Sequence, residues 1–240
     1  MERVSKFLKD NKIKGKVVVA TSGGPDSMML LNILKNIEGI EVICAHVNHN
    51  VRKESEAEFE FVKKYCEDRN IPFEGMKIKE YTPGNFQDTA RKIRYKFFED
   101  VVKRYKAKYL ATAHHGDDLI ETIMMNIVRG SDLKGYAGFR SVVEKEGYKI
   151  IRPLIYFSKE EIYSYIDKYK IPYVIDESNA KDIYTRNRYR KELLPFLKKE
   201  EKNVHEKFLR FSETLLEYEA YLQTKALEVL KRVYVNENLD

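Results

Sequence analysis

One stretch, ATSGGPDSMMLL (Ala20–Leu31), constrains this chain more than any other. The apolar run Val17–Ala20 has the length and composition of a buried strand. It stops at a hydroxyl, two glycines, a proline and an aspartate, and a second apolar run resumes at once with helical spacing over Ser27–Ile37. Gly23 and Gly24 permit backbone angles that other residues avoid and keep side chains out of the way. The N-terminus of the following helix attracts phosphate, and the Ser22 and Ser27 hydroxyls add hydrogen bonds. A phosphate cradle of Ser22, Gly23, Gly24, Pro25, Asp26 and Ser27 is the expectation. It is neither the G-x-x-x-x-G-K-[ST] loop nor G-x-G-x-x-G. Asp26 is out of place beside an anion unless a cation such as Mg²⁺ mediates. The competing reading is an Asp–Ser helix cap on a tight turn.

The cradle opens an alternating pattern. Strand-like segments at Lys16–Ala20, Glu41–Val47, Phe73–Lys79 and Tyr109–Ala113 are separated by helical ones at Ser27–Ile37, Glu54–Arg69, Gln87–Lys106 and Asp117–Arg129, with the turn YTPGN at Tyr81–Asn85. The alternation predicts an α/β, Rossmann-like parallel sheet of about five strands with helices on both faces. Ligands on such sheets bind beyond the carboxyl ends of the strands, where the strand order reverses. The cradle follows the first strand and HHGDD the fourth. After Arg129 the rhythm changes. Gly130–Phe139 reads as a loop, Ile150–Leu154 as an edge strand, and SKEE (Ser158–Glu161) as a capping box that opens a helix to about Tyr169. From Asn203 to near Val233 a single helix is expected, with a boundary near Pro195–Asn203. The chain thus divides into 1–197 and a small helical C-terminal extension, 198–240.

Composition sets the remaining bounds. A hydrophobic content of 43% supports a folded core, and the abundant charge is of the kind seen in thermophiles. Cys44 and Cys66 form no CxxC pair, which argues against a disulfide framework or a Cys-rich metal site. There is no apolar leader and no run of about 18 apolar residues, so a cytoplasmic protein is the default. Between Lys181 and Arg210, ten Lys/Arg face five Asp/Glu, which concentrates most of the whole-chain +6 there. Such a tract is either a solvated helix face or a polyanion-binding patch.

S-G-G-x-D-S after a strand resembles the signature of the PP-loop ATP pyrophosphatases, which cleave ATP between its α and β phosphates. Further stretches resemble the tRNA(Ile)-lysidine synthase family within that group. They are AHVNHNVR (Ala45–Arg52), ARKIRYKFF (Ala90–Phe98), Ala111–Phe139, IIRPLI (Ile150–Ile155) and Asp176–Leu197, collinear from about Lys16 to Leu197. The resemblance implies that ATP activates C2 of the wobble cytidine in the CAU anticodon of an isoleucine tRNA. The C2 oxygen attacks the α-phosphate and releases pyrophosphate, and the ε-amine of L-lysine then displaces AMP. It implies ATP and Mg²⁺ as cofactors and leaves a homodimer open. Asn50 stands where the family commonly has glycine. The family also usually continues into tRNA-gripping domains, so the chain is either a minimal form or a truncation.

On that resemblance Ser22, Gly23, Gly24, Pro25 and Ser27 cradle the pyrophosphate end, and Asp26 helps hold Mg²⁺. Arg94 and Arg186 or Arg188 supply cations at the phosphates, although Arg94 on an amphipathic helix could equally be a surface ion pair. A lysine amine is mostly protonated at neutral pH, so the second step needs a base, and Asp118 is the expected one. His114, Asp117 and Glu121 are the remaining substrate-side residues. Asp117 could instead cap its helix, and His46 and His49 read as hydrogen-bonding groups. Of the adjacent His114 and His115, at most one faces the site. The tract Arg186–Lys202 is expected to reach ATP phosphate with its first residues and tRNA backbone with later ones, Lys198 and Lys199. The alternatives are a tRNA thiolase, a metal-dependent phosphodiesterase built on His46, His49, His114, His115, Asp117 and Asp118, and a non-catalytic RNA-binding module.

Overall fold

A computed structural model describes residues 1–49, 54–78, 86–175 and 185–236. The expected turn at Tyr81–Asn85, the Asn50–Arg52 part of the second matched stretch and residues 176–184 lie outside them. The residues group into two compact units, Met1–His115 with Ser141–Lys181, and Gly116–Arg140 with Asp182–Asp240. The sequence reading places its one boundary near residue 197 instead. The grouping differs because Ile120 and Met124 turn an apolar stripe toward Leu194, Val204 and Phe208, giving the second unit a small core of its own.

The first unit opens with α1 (Glu2–Asp10), β1 (Gly15–Ala20), α2 (Pro25–Lys35), β2 (Ile40–Asn48) and α3 (Glu54–Glu67). After these come β3 (Phe73–Lys77), α4 (Phe86–Arg104) and β4 (Tyr109–Ala111). The second unit takes α5 (Gly116–Arg129) and the short α6 (Leu133–Tyr136). The chain then returns to the first unit for β5 (Val142–Lys145), β6 (Tyr148–Ile151), a 3₁₀ turn at Pro153–Tyr156 and α7 (Lys159–Tyr169).

Six strands form one sheet in the order β3-β2-β1-β4-β6-β5, parallel except for β5. The expected edge strand at Ile150–Leu154 is instead an interior one: Lys149–Ile151 pair parallel with Tyr109–Ala111, and β5 folds back as the outer, antiparallel strand. Pro153, which cannot donate to a ladder, lies past the strand in the 3₁₀ turn. Residues alternate across the sheet as strand geometry requires. Val17 and Val19 pack with α1, α2, α3 and α7, and Val18 packs with Phe98, Val101 and Val102 of α4. The capping box of α7 is present, with Ser158 accepting from the Glu161 amide and Glu161 accepting from the Ser158 amide.

The second unit continues with α8 (Thr185–Arg188), a π-helical turn at Tyr189–Leu193, α9 (Leu194–Glu200) and α10 (Val204–Asn236). The single long helix expected from Asn203 is α10. No helix among the described residues is long and apolar enough to cross a membrane.

Candidate functional site

In the first unit, strand order reverses between β1 and β4, and the loops that leave their carboxyl ends carry the cradle and the paired histidines. Gly23 has φ +92°, and a Cβ there would lie 2.9 Å from Val174 Cγ2 and 3.1 Å from Val62 Cγ2. The Val174 amide donates to the Gly23 carbonyl at 3.0 Å. The fold itself therefore demands glycine at this position. Gly24 is different. Its φ is −72°, and a Cβ would meet only Ser22 Oγ at 3.5 Å. Among the described residues no packing explains its bare backbone, whereas close approach of a ligand would.

The Ser27 hydroxyl, expected toward a ligand, faces inward. Its side chain is buried and turned into the loop, where Oγ accepts from the Ser22 and Gly23 amides at 3.1 and 3.2 Å and donates to the Gly24 carbonyl at 3.0 Å. It braces the cradle from within. Ser22 Oγ lies 3.2 Å from Ser27 Oγ and accepts from the Gly24 amide at 3.3 Å. Pro25 sits in the first helical turn, where a missing N–H costs nothing. His46 supports the loop from below: Nδ1 donates to the Thr21 carbonyl at 2.8 Å, and its ring packs against Phe59 and Phe73. Burial holds its pKa below the ordinary histidine value.

Asp26 is flanked by two groups that the sequence reading does not place there. Lys159 Nζ is 2.5 Å from its Oδ1, and His115 Nε2 is 3.9 Å from the same oxygen. His115, which is buried, is thus the histidine beside the cradle. His114 instead has Nδ1 2.9 Å from Thr112 Oγ1. Lys159 has one signal in the sequence: it occupies the first helical position after a capping serine, where the helix dipole disfavours a cation. Arg94 belongs to a cationic group on α4. Its guanidinium and that of Arg91 stand 5.7 and 5.5 Å from the Tyr95 ring centroid. Burial and the Arg91 charge both lower the Arg94 pKa, and the Arg94 charge helps depress His49.

In the second unit, the first turns of α5 carry three carboxylates, each beside a cation. Asp117 is buried, with Oδ2 2.5 Å from Lys198 Nζ. Asp118 Oδ1 lies 3.3 Å from Arg190 Nη2. Glu121 is buried and gripped by Arg190 through two contacts of 2.8 and 3.1 Å, with Arg186 Nε at 3.2 Å. Burial pushes the Glu121 carboxyl up, and the Arg190 hydrogen bond and charge work against that.

The basic side chains around these carboxylates lie in surroundings that the sequence does not indicate. Lys198, expected at the tRNA backbone, lies one turn beyond Leu194 on α9 and has its ammonium on Asp117. Lys199, the next residue, is exposed. Arg186, placed by the sequence at ATP phosphates, contacts Glu121 and donates to Thr122 Oγ1 at 2.8 Å, and both it and Arg188 are exposed. Arg190, which the sequence places only as one member of the basic tract, is the cation shared by Glu121 and Asp118. It hides inside a basic run, where spacing alone does not distinguish it. No group of three or more His, Cys, Asp or Glu among the described residues could hold a metal, so the phosphodiesterase ligand set is not assembled there.

The family model described as the PP-loop domain matches residues 1–197. The tRNA(Ile)-lysidine synthase of Bacillus cereus (strain ATCC 10987) is 42% identical over 245 residues, covering 97% of this chain and 52% of the relative. The enzyme of that name from Bacillus subtilis (strain 168) is 41% identical over 249 residues, covering 99% and 53%. The bifunctional protein TilS/HprT of Listeria innocua is 43% identical over 242 residues, covering 96% and 37%. The chain thus spans about half the length, or less, of these curated relatives. Among solved structures, the tRNA thiolase NcsA from Methanococcus maripaludis with its 4Fe–4S cluster matches at TM-score 0.75 and 23% identity, covering 90% of this chain and 77% of that one. That likeness is one of fold.

Proposed function

We propose that this chain, which belongs to the PP-loop domain family, uses ATP to join lysine to C2 of the wobble cytidine in the CAU anticodon of an isoleucine tRNA. One observation carries the reading. A self-braced cradle, with a glycine that packing among the described residues does not require, ends β1 in a chain 41–43% identical over nearly its whole length to proteins named tRNA(Ile)-lysidine synthase. In the first step the C2 oxygen attacks the α-phosphorus and the bond to the bridging oxygen breaks, releasing pyrophosphate. In the second the lysine nitrogen, having lost a proton, attacks C2, and the C2–O bond to AMP breaks.

The residues have work in both steps. Ser22 and the backbone at Gly24 receive the departing phosphates, with Ser27 holding the loop in shape. Arg94 supplies positive charge at the phosphates, since phosphoryl transfer depends on positioning and charge neutralisation. Mg²⁺ fits beside Asp26, because this ion commonly takes one or two carboxylates, substrate phosphates and water rather than an all-protein cage. When bound it would neutralise charge on the phosphates. Asp118 orients the ε-ammonium and accepts its proton. Glu121, locked by Arg190 and Arg186, serves as an anchor for that group rather than as a free base. A cytoplasmic location belongs to the same reading. Thiolase chemistry finds no support in the thiols: Cys44 and Cys66 are both buried, and burial pushes the Cys44 pKa well up, which disfavours the thiolate such chemistry needs.

Pyrophosphate release from ATP tests the first step. It is expected only with an isoleucine tRNA that carries CAU, and to stop when the wobble cytidine is replaced by uridine. Release that ignores the wobble base contradicts the reading.

A further inference from the structure

The contact between Lys159 and Asp26 calls for an account. Lys159 sits at the first position of α7, where the helix dipole opposes a positive charge. It nevertheless points its ammonium at Asp26 in the first turn of α2, 133 residues earlier in the chain. Both side chains remain about three-tenths exposed, so the pair is open to solvent rather than sealed in the core. A pair so exposed adds little to stability, and it stands beside the loop to which the proposed function assigns the phosphates. Asp26 is also the one carboxylate of that loop. A carboxylate left bare there would repel an incoming polyanion, and a lysine left bare would attract it.

We propose that Lys159 is a phosphate ligand of the nucleotide site, parked on Asp26 until the nucleotide arrives. The inference rests on the nucleotide half of the proposed function and not on its tRNA or lysine half. As polyphosphate enters the cradle, Lys159 leaves Asp26 for a phosphate oxygen of the leaving pyrophosphate. Asp26 is thereby released to face a divalent cation accompanying the nucleotide. The four-carbon stem of lysine lets the charge move while the backbone of α7 stays fixed by its capping box. His115, 3.9 Å from the same aspartate oxygen, remains beside Asp26 after the exchange.

The parked state predicts shifts of opposite sign for the two partners. Inorganic pyrophosphate is titrated calorimetrically into the wild type, Lys159→Met, Lys159→Arg and Asp26→Asn, without metal and without tRNA. Lys159→Met is expected to weaken binding about tenfold or more, the worth of one charge-assisted hydrogen bond. Lys159→Arg should stay within a few-fold of wild type. Asp26→Asn should tighten binding, because it removes the charge that holds Lys159 in the pair and repels the incoming anion. Lys159→Met binding as wild type does overturns the inference, and so does equal weakening by Lys159→Met and Asp26→Asn, the signature of a merely structural pair. A wild type that binds no pyrophosphate takes down the nucleotide reading as well. Failure to form lysidine, with the opposite shifts intact, takes down only the tRNA reading.

Discussion

Arg190 holds Glu121 with both arms of its guanidinium, Nε 2.8 Å from Oε1 and Nη2 3.1 Å from Oε2, and the carboxylate is almost wholly buried. Removing the fork leaves a buried charge with, among the described residues, Arg186 Nε at 3.2 Å beside it. Arg190→Ala is expected to cost about 3 kcal/mol in urea unfolding, because an uncompensated buried carboxylate destabilises far more than a broken surface pair. Adding Glu121→Gln to that variant should restore part of the loss. A cost below about 0.5 kcal/mol would show that the pair is a surface contact in energetic terms.

The two glycines of the cradle should separate stability from binding. Gly23→Ala forces a side chain into positive φ and against Val174 and Val62, so a loss of about 2 kcal/mol or more is expected. Gly24→Ala meets no such obstacle and should keep stability within about 0.5 kcal/mol. It should still weaken ATP binding about tenfold, which is about 1.4 kcal/mol. Thermal melts and nucleotide titration of the same two proteins check this. Equal melting losses would contradict it.

The buried histidine under the loop gives a pH dependence of defined sign. The folded-state pKa of His46 is held below 6.5 by burial. Between that lowered value and 6.5 the unfolded chain binds more protons, so stability falls as pH drops through this window and is fully present above it. His46→Asn keeps a donor for the Thr21 carbonyl but cannot titrate. Urea midpoints at pH 7.5 and 5.5 should therefore differ less for the variant than for the wild type. His49, shifted in the same direction, leaves the variant a residual slope. Identical slopes would remove His46 from the account.

Much of the fold is legible in the sequence. The parallel sheet, the cradle after the first strand and the capping box at Ser158 follow from local periodicity and turn chemistry, which act over a few residues. What escapes depends on contacts distant in sequence. Lys159 meets Asp26 across 133 residues, and Arg190 meets Glu121 across 69. Ser27 illustrates a different limit. Residue type puts it in the loop, but whether its hydroxyl points outward to a ligand or inward to the backbone is set by loop geometry. Lys198 and Lys199 are alike in the sequence and are separated only by which side of α9 packs on Ile120.

That separation changes the expected behaviour of the basic tract. Lys198→Glu should destabilise the protein by setting two carboxylates together in the place of the Asp117–Lys198 pair. Its effect on tRNA binding would then be indirect. Lys199→Glu with Lys202→Glu should leave the melting temperature nearly unchanged and flatten the salt dependence of tRNA binding, by roughly 0.7–0.9 in log K per log salt for each phosphate that is no longer neutralised. An unchanged salt slope would assign the surplus charge to an ordinary solvated helix face.

The central claim is tested most directly by incubating the protein with ATP, labelled lysine and unmodified isoleucine tRNA bearing CAU, and measuring lysine bound covalently to RNA. The account predicts label in the tRNA that requires ATP, is lost with Asp26→Asn, and gives way with Asp118→Asn to an adenylated tRNA that accumulates without lysine. Label that appears without ATP, or no label while the protein cleaves ATP freely in the absence of tRNA, would contradict it.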